Sequence, residues 1–96
     1  MDKELFPKSV IINYCKLPEH IREGMRLYVE RGCPVGAFLE YVITNNLVMS
    51  LGKADQINRA RIFDICDFMY NEAPAPCWGS IKKYKMWIEK GGLKGE

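Results

Sequence analysis

The chain has 96 residues, which is the size of one domain. Hydrophobic residues make up 48% of it and charged residues 27%, both ordinary values for a globular protein. The net charge is +2, which is too small to indicate nucleic-acid binding by itself, because domains of that kind carry a strong basic face. No apolar run resembles a signal peptide or a membrane span, so we expect a cytoplasmic protein with no membrane association.

The N-terminal part is predicted to be an arm that covers residues 1–16. Residues 1–8 are polar, and residues 9–15 form a short, apolar, β-branched run that suits either a strand or an extended segment. A single strand would lack a partner within one chain, so it would pair with a copy from another subunit. Residues 17–93 are predicted to form a single helical domain.

Four helices are predicted along this domain. The first begins at Pro18, presents an apolar face and is capped by Gly32. The second starts at Pro34 or Val35 and stops at Gly52. The third covers about 56–71 after a cap at Asp55, and its many apolar positions suggest burial on more than one side. The last is predicted to run from a Ser80 cap to about residue 90. The expected fold class is therefore mainly all-α: a compact four-helix domain with a short N-terminal extended arm.

Catalytic and metal-binding patterns are weak in this sequence. His20 is the one histidine and stands in the first turn of a helix, where a solvent-facing role is the simpler interpretation. Asp64 and Asp67 share a helix face, for which a solvated acidic face is the simpler interpretation. The four cysteines form no CxxC pair, so we expect reduced thiols and no metal site. We predict no catalytic residue, no cofactor and no enzymatic activity.

A DNA-binding interpretation rests on the second and third predicted helices, which flank Gly52 near Lys53, Arg59 and Arg61. The third helix also carries acidic residues that would repel phosphate. The last helix holds a more basic patch, for which a solvated face is the simpler interpretation; its lysines are Lys82, Lys83, Lys85 and Lys90.

A small-ligand site is the third interpretation. Arginine offers a planar fork for a phosphate, and aromatic rings offer stacking faces. The cap of the last helix is a possible anion seat. For Trp78 a core position or a subunit contact is the competing interpretation. The predicted ligand-binding residues are Tyr28, Asn58, Arg59, Arg61, Trp78 and Ser80.

Much of residues 17–93 resembles a family of short phage and prophage proteins. The matching stretches include Leu17-Pro18-Glu19-His20, Gly36-Ala37-Phe38-Leu39, Lys53-Ala54-Asp55, Cys77-Trp78-Gly79-Ser80 and Gly91-Gly92-Leu93. Lys53 departs from the arginine of the family pattern, and the first sixteen residues lie outside the match. The resemblance carries no binding residues over, but it implies a phage protein in the host cytoplasm. Small phage proteins of this size commonly act stoichiometrically on host defence, and some sequester nucleotide immune signals.

We therefore expect a homo-oligomeric anti-defence binding protein that sequesters a small anionic signal of the cyclic-nucleotide type. The alternatives are a stoichiometric inhibitor that binds a host protein or CRISPR effector directly, and a DNA-binding regulator.

Overall fold

A computed structural model describes residues 12–95 of the chain. Within this range the protein forms α-helices joined by short turns, and no β-strand, so the expected mainly all-α class is confirmed. The described residues form six α-helices rather than the four expected. They are α1 (Glu19–Arg31), α2 (Ala37–Ile43), α3 (Leu47–Lys53), α4 (Gln56–Ala60), α5 (Ile62–Asn71) and α6 (Ile81–Lys90).

The first and last helices end as the sequence predicts. Gly32 closes α1 in the left-handed conformation with φ 73°, and Gly91 closes α6 with φ 93°. The hydroxyl of Ser80 accepts a hydrogen bond of 3.1 Å from the backbone N–H of Lys83, which satisfies one of the free N–H groups at the start of α6.

The single second helix expected from residue 34 or 35 is wrong, because the chain breaks it into α2 and α3. Asn45 adopts a left-handed conformation with φ 66°, which asparagine tolerates better than most residues. The side chain of Asn46 then accepts a 3.3 Å hydrogen bond from the N–H of Met49 and starts a new helix. Gly52 lies inside α3 rather than after it.

The expected third helix is likewise divided, into α4 and α5. Asp55 caps α4 as predicted, since its carboxylate accepts a 2.7 Å bond from the N–H of Asn58. At Arg61 φ is −110°, and its N–H is shared between the carbonyls of Ile57 and Asn58. This local departure from helical geometry separates α4 from α5.

The predicted N-terminal arm is only partly covered by the described residues, since 1–11 lie outside them. Tyr14–Lys16 form a 3₁₀ turn and are not extended. Contacts of this turn include the Tyr14 ring, which lies 5.4 Å from that of Phe68, the Tyr14 hydroxyl, which donates to Glu30 at 3.2 Å, and Lys16, which pairs with Asp67 at 2.8 Å. Residues 14–16 therefore pack on α1 and α5.

The core lies between α1, α2, α5 and α6. Helix α1 contributes four buried residues to this core. Helix α5 is amphipathic and not buried on several sides, because the side chain of Phe63 is 80% exposed. Trp87 is in the core as expected and donates its indole N–H to the carbonyls of Tyr28 and Val29. The longest helix of the described part, α1, has 13 residues, and no helix there has the length and apolarity needed to cross a bilayer.

Candidate functional site

A groove runs beside α6. One wall is α6 itself, another is the segment that precedes it, and the C-terminal turn closes one end. Its volume is about 680 Å³. We call it the α6 groove, and it is lined by Pro74, Pro76, Ser80, Lys82, Lys83, Met86, Trp87, Lys90 and Leu93.

The segment between α5 and α6 forms a fixed wall of this groove. Its prolines keep it out of a continuous helix, and Ala75–Cys77 makes one 3₁₀ turn. Two long-range bonds then anchor it: the Tyr28 hydroxyl donates to the carbonyl of Cys77 at 2.6 Å, and the N–H of Gly79 donates to the carbonyl of Ile43 at 2.8 Å. The wall is held in place by the core behind it.

The rim of the α6 groove is positively charged. Lys82, Lys83 and Lys90 are exposed, and no carboxylate is among the residues that line the groove. Lys90 is positioned by two contacts, because its ammonium lies 4.6 Å from the centroid of the Trp87 ring and donates to the carbonyl of Gly92 at 2.9 Å. An anion at this rim would meet several ammonium groups, and no carboxylate lines the groove with them.

The floor of the groove is apolar and firmly placed. Trp87 is 4% exposed, and its indole N–H is already satisfied within the fold. Met86 is 56% exposed and adds a flexible, polarisable side chain. A charged rim above an apolar floor suits a ligand that combines an anionic group with a flat or apolar part.

Tyr28 does not lie at this surface. It is fully buried, its ring stacks on Tyr84 with centroids 5.4 Å apart, and its hydroxyl is committed to Cys77. Burial raises the pKa of its hydroxyl far above the ordinary value. The prediction that Tyr28 stacks on a ligand is therefore not met in this structure, where its side chain holds the wall of the groove in place.

The other polar residues of the predicted site are also dispersed. Asn58 is 4% exposed and lines a separate cavity between α1, α2 and α4. Arg59 is exposed on α4. The guanidinium of Arg61 donates to the carboxylate of Asp64 at 2.6 Å and to the carbonyl of Lys16 at 2.9 Å. Arg61 also lines a third cleft, together with His20.

Trp78 and Ser80 flank the start of α6. The ring of Trp78 is partly buried and meets the ring of Tyr70 edge-on, at 6.5 Å between centroids. Ser80 lines the α6 groove, where its hydroxyl caps the helix. Asn58, Arg61 and Ser80 thus line three different clefts, and of the six predicted residues Ser80 is the one that lines the groove.

The lysines of the α6 groove belong to the basic patch that the sequence shows on the last helix. From the sequence alone, a solvated face is the simpler interpretation of that patch. Their pairing with an apolar floor depends on Pro74, Pro76 and Leu93, which approach α6 from outside the helix. Helical periodicity describes one helix at a time and does not contain this information. The signal that was available is the rarity of acidic residues between Ile81 and Lys90, where Glu89 stands alone.

His20 and Asp55 form a hydrogen-bonded pair, with 2.9 Å between Nε2 and Oδ2. A catalytic triad consists of a nucleophile, a histidine that acts as base and a carboxylate that orients the histidine, and this pair supplies the last two types. Among residues 12–95, no hydroxyl or thiol hydrogen bonds to this imidazole. Likewise no group of three or more histidine, cysteine, aspartate or glutamate side chains in that range is arranged to hold a metal ion.

The four cysteines are free thiols. Cys15 is exposed, Cys33 and Cys66 are partly buried, and Cys77 is buried. Burial raises the pKa of the Cys77 thiol to about 12 and also raises that of Cys66. Because the thiolate is the reactive form, Cys77 is suited to a packing role.

Comparison with known proteins gave no match to any family model, to any curated protein or to any solved structure.

Proposed function

We propose that this protein is a non-catalytic binding protein that captures a small anionic ligand in the α6 groove. The observation that carries the proposal is the combination of three rim lysines with an apolar floor and no lining carboxylate. The ligand class is the one expected from the sequence, but the site lies on α6 and not at Tyr28, Arg59 and Arg61.

Electrostatics favour an anion at this position. Charge-assisted hydrogen bonds from ammonium groups to phosphate or carboxylate oxygens are about twice as strong as neutral ones. Among residues 12–95, neither Lys82 nor Lys83 forms an ion pair with a carboxylate. The N-capping hydroxyl of Ser80 adds a polar group next to them.

The apolar floor favours a ligand with a ring. A nucleotide would place its phosphates at the lysine rim and its base against Met86 and the prolines. The resemblance to phage proteins supports a cyclic nucleotide used as an immune signal, with sequestration in the host cytoplasm as the biological outcome. Such a protein acts by stoichiometry and needs no chemical step.

The first experiment is a thermal-shift screen of purified protein against cyclic dinucleotides, cyclic trinucleotides and linear nucleotides. A ligand at one hundred times its Kd stabilises the folded state by about 2.7 kcal/mol. In a domain of this size that raises Tm by roughly 10 °C or more. Absence of a shift across the whole panel would contradict the nucleotide assignment.

A matched pair of variants then tests the location. Lys82→Gln with Lys83→Gln removes two groove charges, whereas Lys85→Gln with Lys94→Gln removes the same charge from exposed positions that do not line the groove. The proposal expects the first pair to abolish the thermal shift and the second to preserve it.

Direct inhibition of a host protein is a second candidate, favoured by the outer face of α5. Phe63 and Tyr70 are 80% and 78% exposed and stand seven residues apart, on the same side of the helix. Exposed aromatic residues of this kind are typical of protein contact surfaces. If the protein is a homo-oligomer, a second copy of the chain could cover this face instead of a host protein. Light scattering of the wild type and of Phe63→Ser distinguishes these two occupants. A dimer lost on substitution indicates self-association, and a monomer leaves the face available to a host protein.

A further inference from the structure

Helix α6 has a second exposed surface beside the α6 groove. Its core side buries Tyr84 and Trp87. Away from that side lies a depression of about 620 Å³, which we call the α6 outer face. Two of its residues, Lys82 and Met86, also line the groove. The whole set is Ile81, Lys82, Lys85, Met86, Ile88 and Glu89.

Positive charge is concentrated in this part of the chain. Residues 81–95 contain five of the nine lysines of the protein and a single acid, Glu89. Among residues 12–95, none of these five lysines forms an ion pair with a carboxylate. Their charges are therefore available to an anionic partner. All five are exposed, and they are Lys82, Lys83, Lys85, Lys90 and Lys94.

Two large apolar side chains stand among these lysines. Ile81 is 62% exposed and Met86 is 56% exposed. Residues four apart are neighbours on a helix surface, so Ile81 lies next to Lys85, and Met86 next to Lys82. The α6 outer face therefore offers ammonium groups and aliphatic side chains to the same partner.

The residue types on this face distinguish between anionic partners. All five arginines of the chain lie between residues 22 and 61, whereas protein interfaces favour arginine and are depleted in lysine. Single-stranded nucleic acids stack on exposed aromatic rings, but Tyr84 and Trp87 are only 6% and 4% exposed. Lysine clusters beside aliphatic side chains on an amphipathic helix are typical of contact with anionic lipids.

We propose that the α6 outer face is a docking surface for an anionic lipid bilayer. The helix has 10 residues and lies parallel to the bilayer over about 15 Å. The ammonium groups bind headgroup phosphates, while Ile81 and Met86 enter the boundary between headgroups and acyl chains. Lysine suits this position, because its methylene stem contacts apolar groups while its charge stays at the headgroups.

This inference goes beyond ligand capture in the α6 groove, which requires no bilayer. The expectation of no membrane association rests on the lack of an apolar run that resembles a signal peptide or a span. A contact at the surface of a bilayer requires neither.

Co-sedimentation with vesicles, without nucleotide, tests the proposal. The wild type is mixed with vesicles of phosphatidylcholine, or of equal parts phosphatidylcholine and phosphatidylglycerol. We expect at least about tenfold stronger binding to the mixed vesicles, most of it lost at about 0.5 M salt because the charges are screened. No binding to the mixed vesicles, or equal binding to both types, would overturn the proposal. Binding of polyglutamate without binding of mixed vesicles would assign the face to an acidic protein instead.

A matched pair of variants locates the contact. Ile81→Ser with Lys85→Gln removes an apolar side chain and a charge from the α6 outer face, and neither residue lines the α6 groove. Ile57→Ser with Lys53→Gln removes the same groups from exposed positions outside α6. We expect the first pair to weaken binding to mixed vesicles at least about tenfold and the second less than about threefold, with both folded by circular dichroism. Equal weakening by the two pairs, or none by the first, would contradict a contact at this face.

The first pair also separates this inference from the proposed function. Because it leaves the residues of the α6 groove in place, its thermal shifts with the nucleotide panel should equal those of the wild type. Vesicle binding is measured without nucleotide, so a failure of the groove proposal leaves this test intact.

Discussion

Gly32 and Gly92 pack backbone against backbone where the end of α1 meets the turn that follows α6. Both have φ 73°. A Cβ on Gly32 would lie 2.8 Å from the backbone nitrogen of Gly92, and a Cβ on Gly92 would lie 2.5 Å from that of Gly32. The contact joins two helices that are far apart in sequence and helps to place the C-terminal turn that closes the α6 groove.

Gly92→Ala should destabilise the protein by about 2–4 kcal/mol, since it adds both a left-handed conformation and a backbone overlap. Gly24→Ala is the control: its Cβ meets nothing, and it should stabilise α1 by about 0.5–1 kcal/mol. Urea unfolding monitored by circular dichroism measures both. Equal, small effects of the two substitutions would show that the Gly32–Gly92 contact is looser than described.

Tyr28→Phe tests the anchor of the groove wall. It removes the hydroxyl that donates to the carbonyl of Cys77 at 2.6 Å and leaves that carbonyl without its side-chain partner, at a cost of about 1–3 kcal/mol. Tyr70→Phe removes a hydroxyl from a side chain that is 78% exposed, and its effect should stay within about 0.5 kcal/mol. Thermal unfolding of the two variants should give clearly different midpoints; a harmless Tyr28→Phe would mean that the wall does not depend on this bond.

Asp55 should contribute to acid sensitivity. The backbone N–H of Asn58 is the main cause that lowers its folded-state pKa below the ordinary 3.8. Its contribution to stability is therefore complete above the pKa of the unfolded chain and declines as the pH falls from there through the lowered folded-state pKa. Asp55→Asn keeps a capping oxygen but does not titrate, so it should be less stable than the wild type near pH 7 and approach it as the pH falls.

The check is urea unfolding of wild type and Asp55→Asn at several pH values between about 2 and 7, a range that includes ordinary carboxyl titration. The wild type should lose more stability than the variant below about pH 4, where Asp55 titrates. Parallel curves for the two proteins would remove Asp55 from the acid response.

Thiol reactivity should follow burial. Cys15 is exposed and should be alkylated quickly by N-ethylmaleimide in the native state. Cys77 is buried with its pKa raised to about 12, so it should react only after unfolding. Peptide mapping by mass spectrometry after a short pulse distinguishes the four sites. Labelling of Cys77 as fast as Cys15 would indicate that the segment before α6 opens readily.

Local signals in the sequence predict the ends of helices well and their interruptions poorly. Gly32, Ser80 and Gly91 act as the caps that their types favour. The break at Asn45 uses the same chemistry, but it stands in a continuous apolar pattern that favours an unbroken helix. The interruption at Arg61 has no turn residue that would signal it in the sequence, because arginine itself favours helix.

The clefts were harder to predict for a related reason. Ser80 was identified as a ligand residue because it caps a helix, and it does line the α6 groove. Tyr28 was identified because aromatic rings stack, although its i+3/i+4 spacing with other apolar residues already indicated the core. The lysines of α6 line a groove only because the segment with Pro74 and Pro76 lies beside that helix. Packing of the core brings the two together, and helical periodicity in the sequence does not predict it.

The most direct test of the central claim is isothermal titration of the strongest ligand from the nucleotide screen into wild type and the two matched lysine pairs. We predict that Lys82→Gln with Lys83→Gln weakens binding at least about tenfold, which corresponds to 1.4 kcal/mol, while Lys85→Gln with Lys94→Gln changes Kd less than about threefold. Equal weakening by both pairs, or none by the first, would contradict a binding site in the α6 groove.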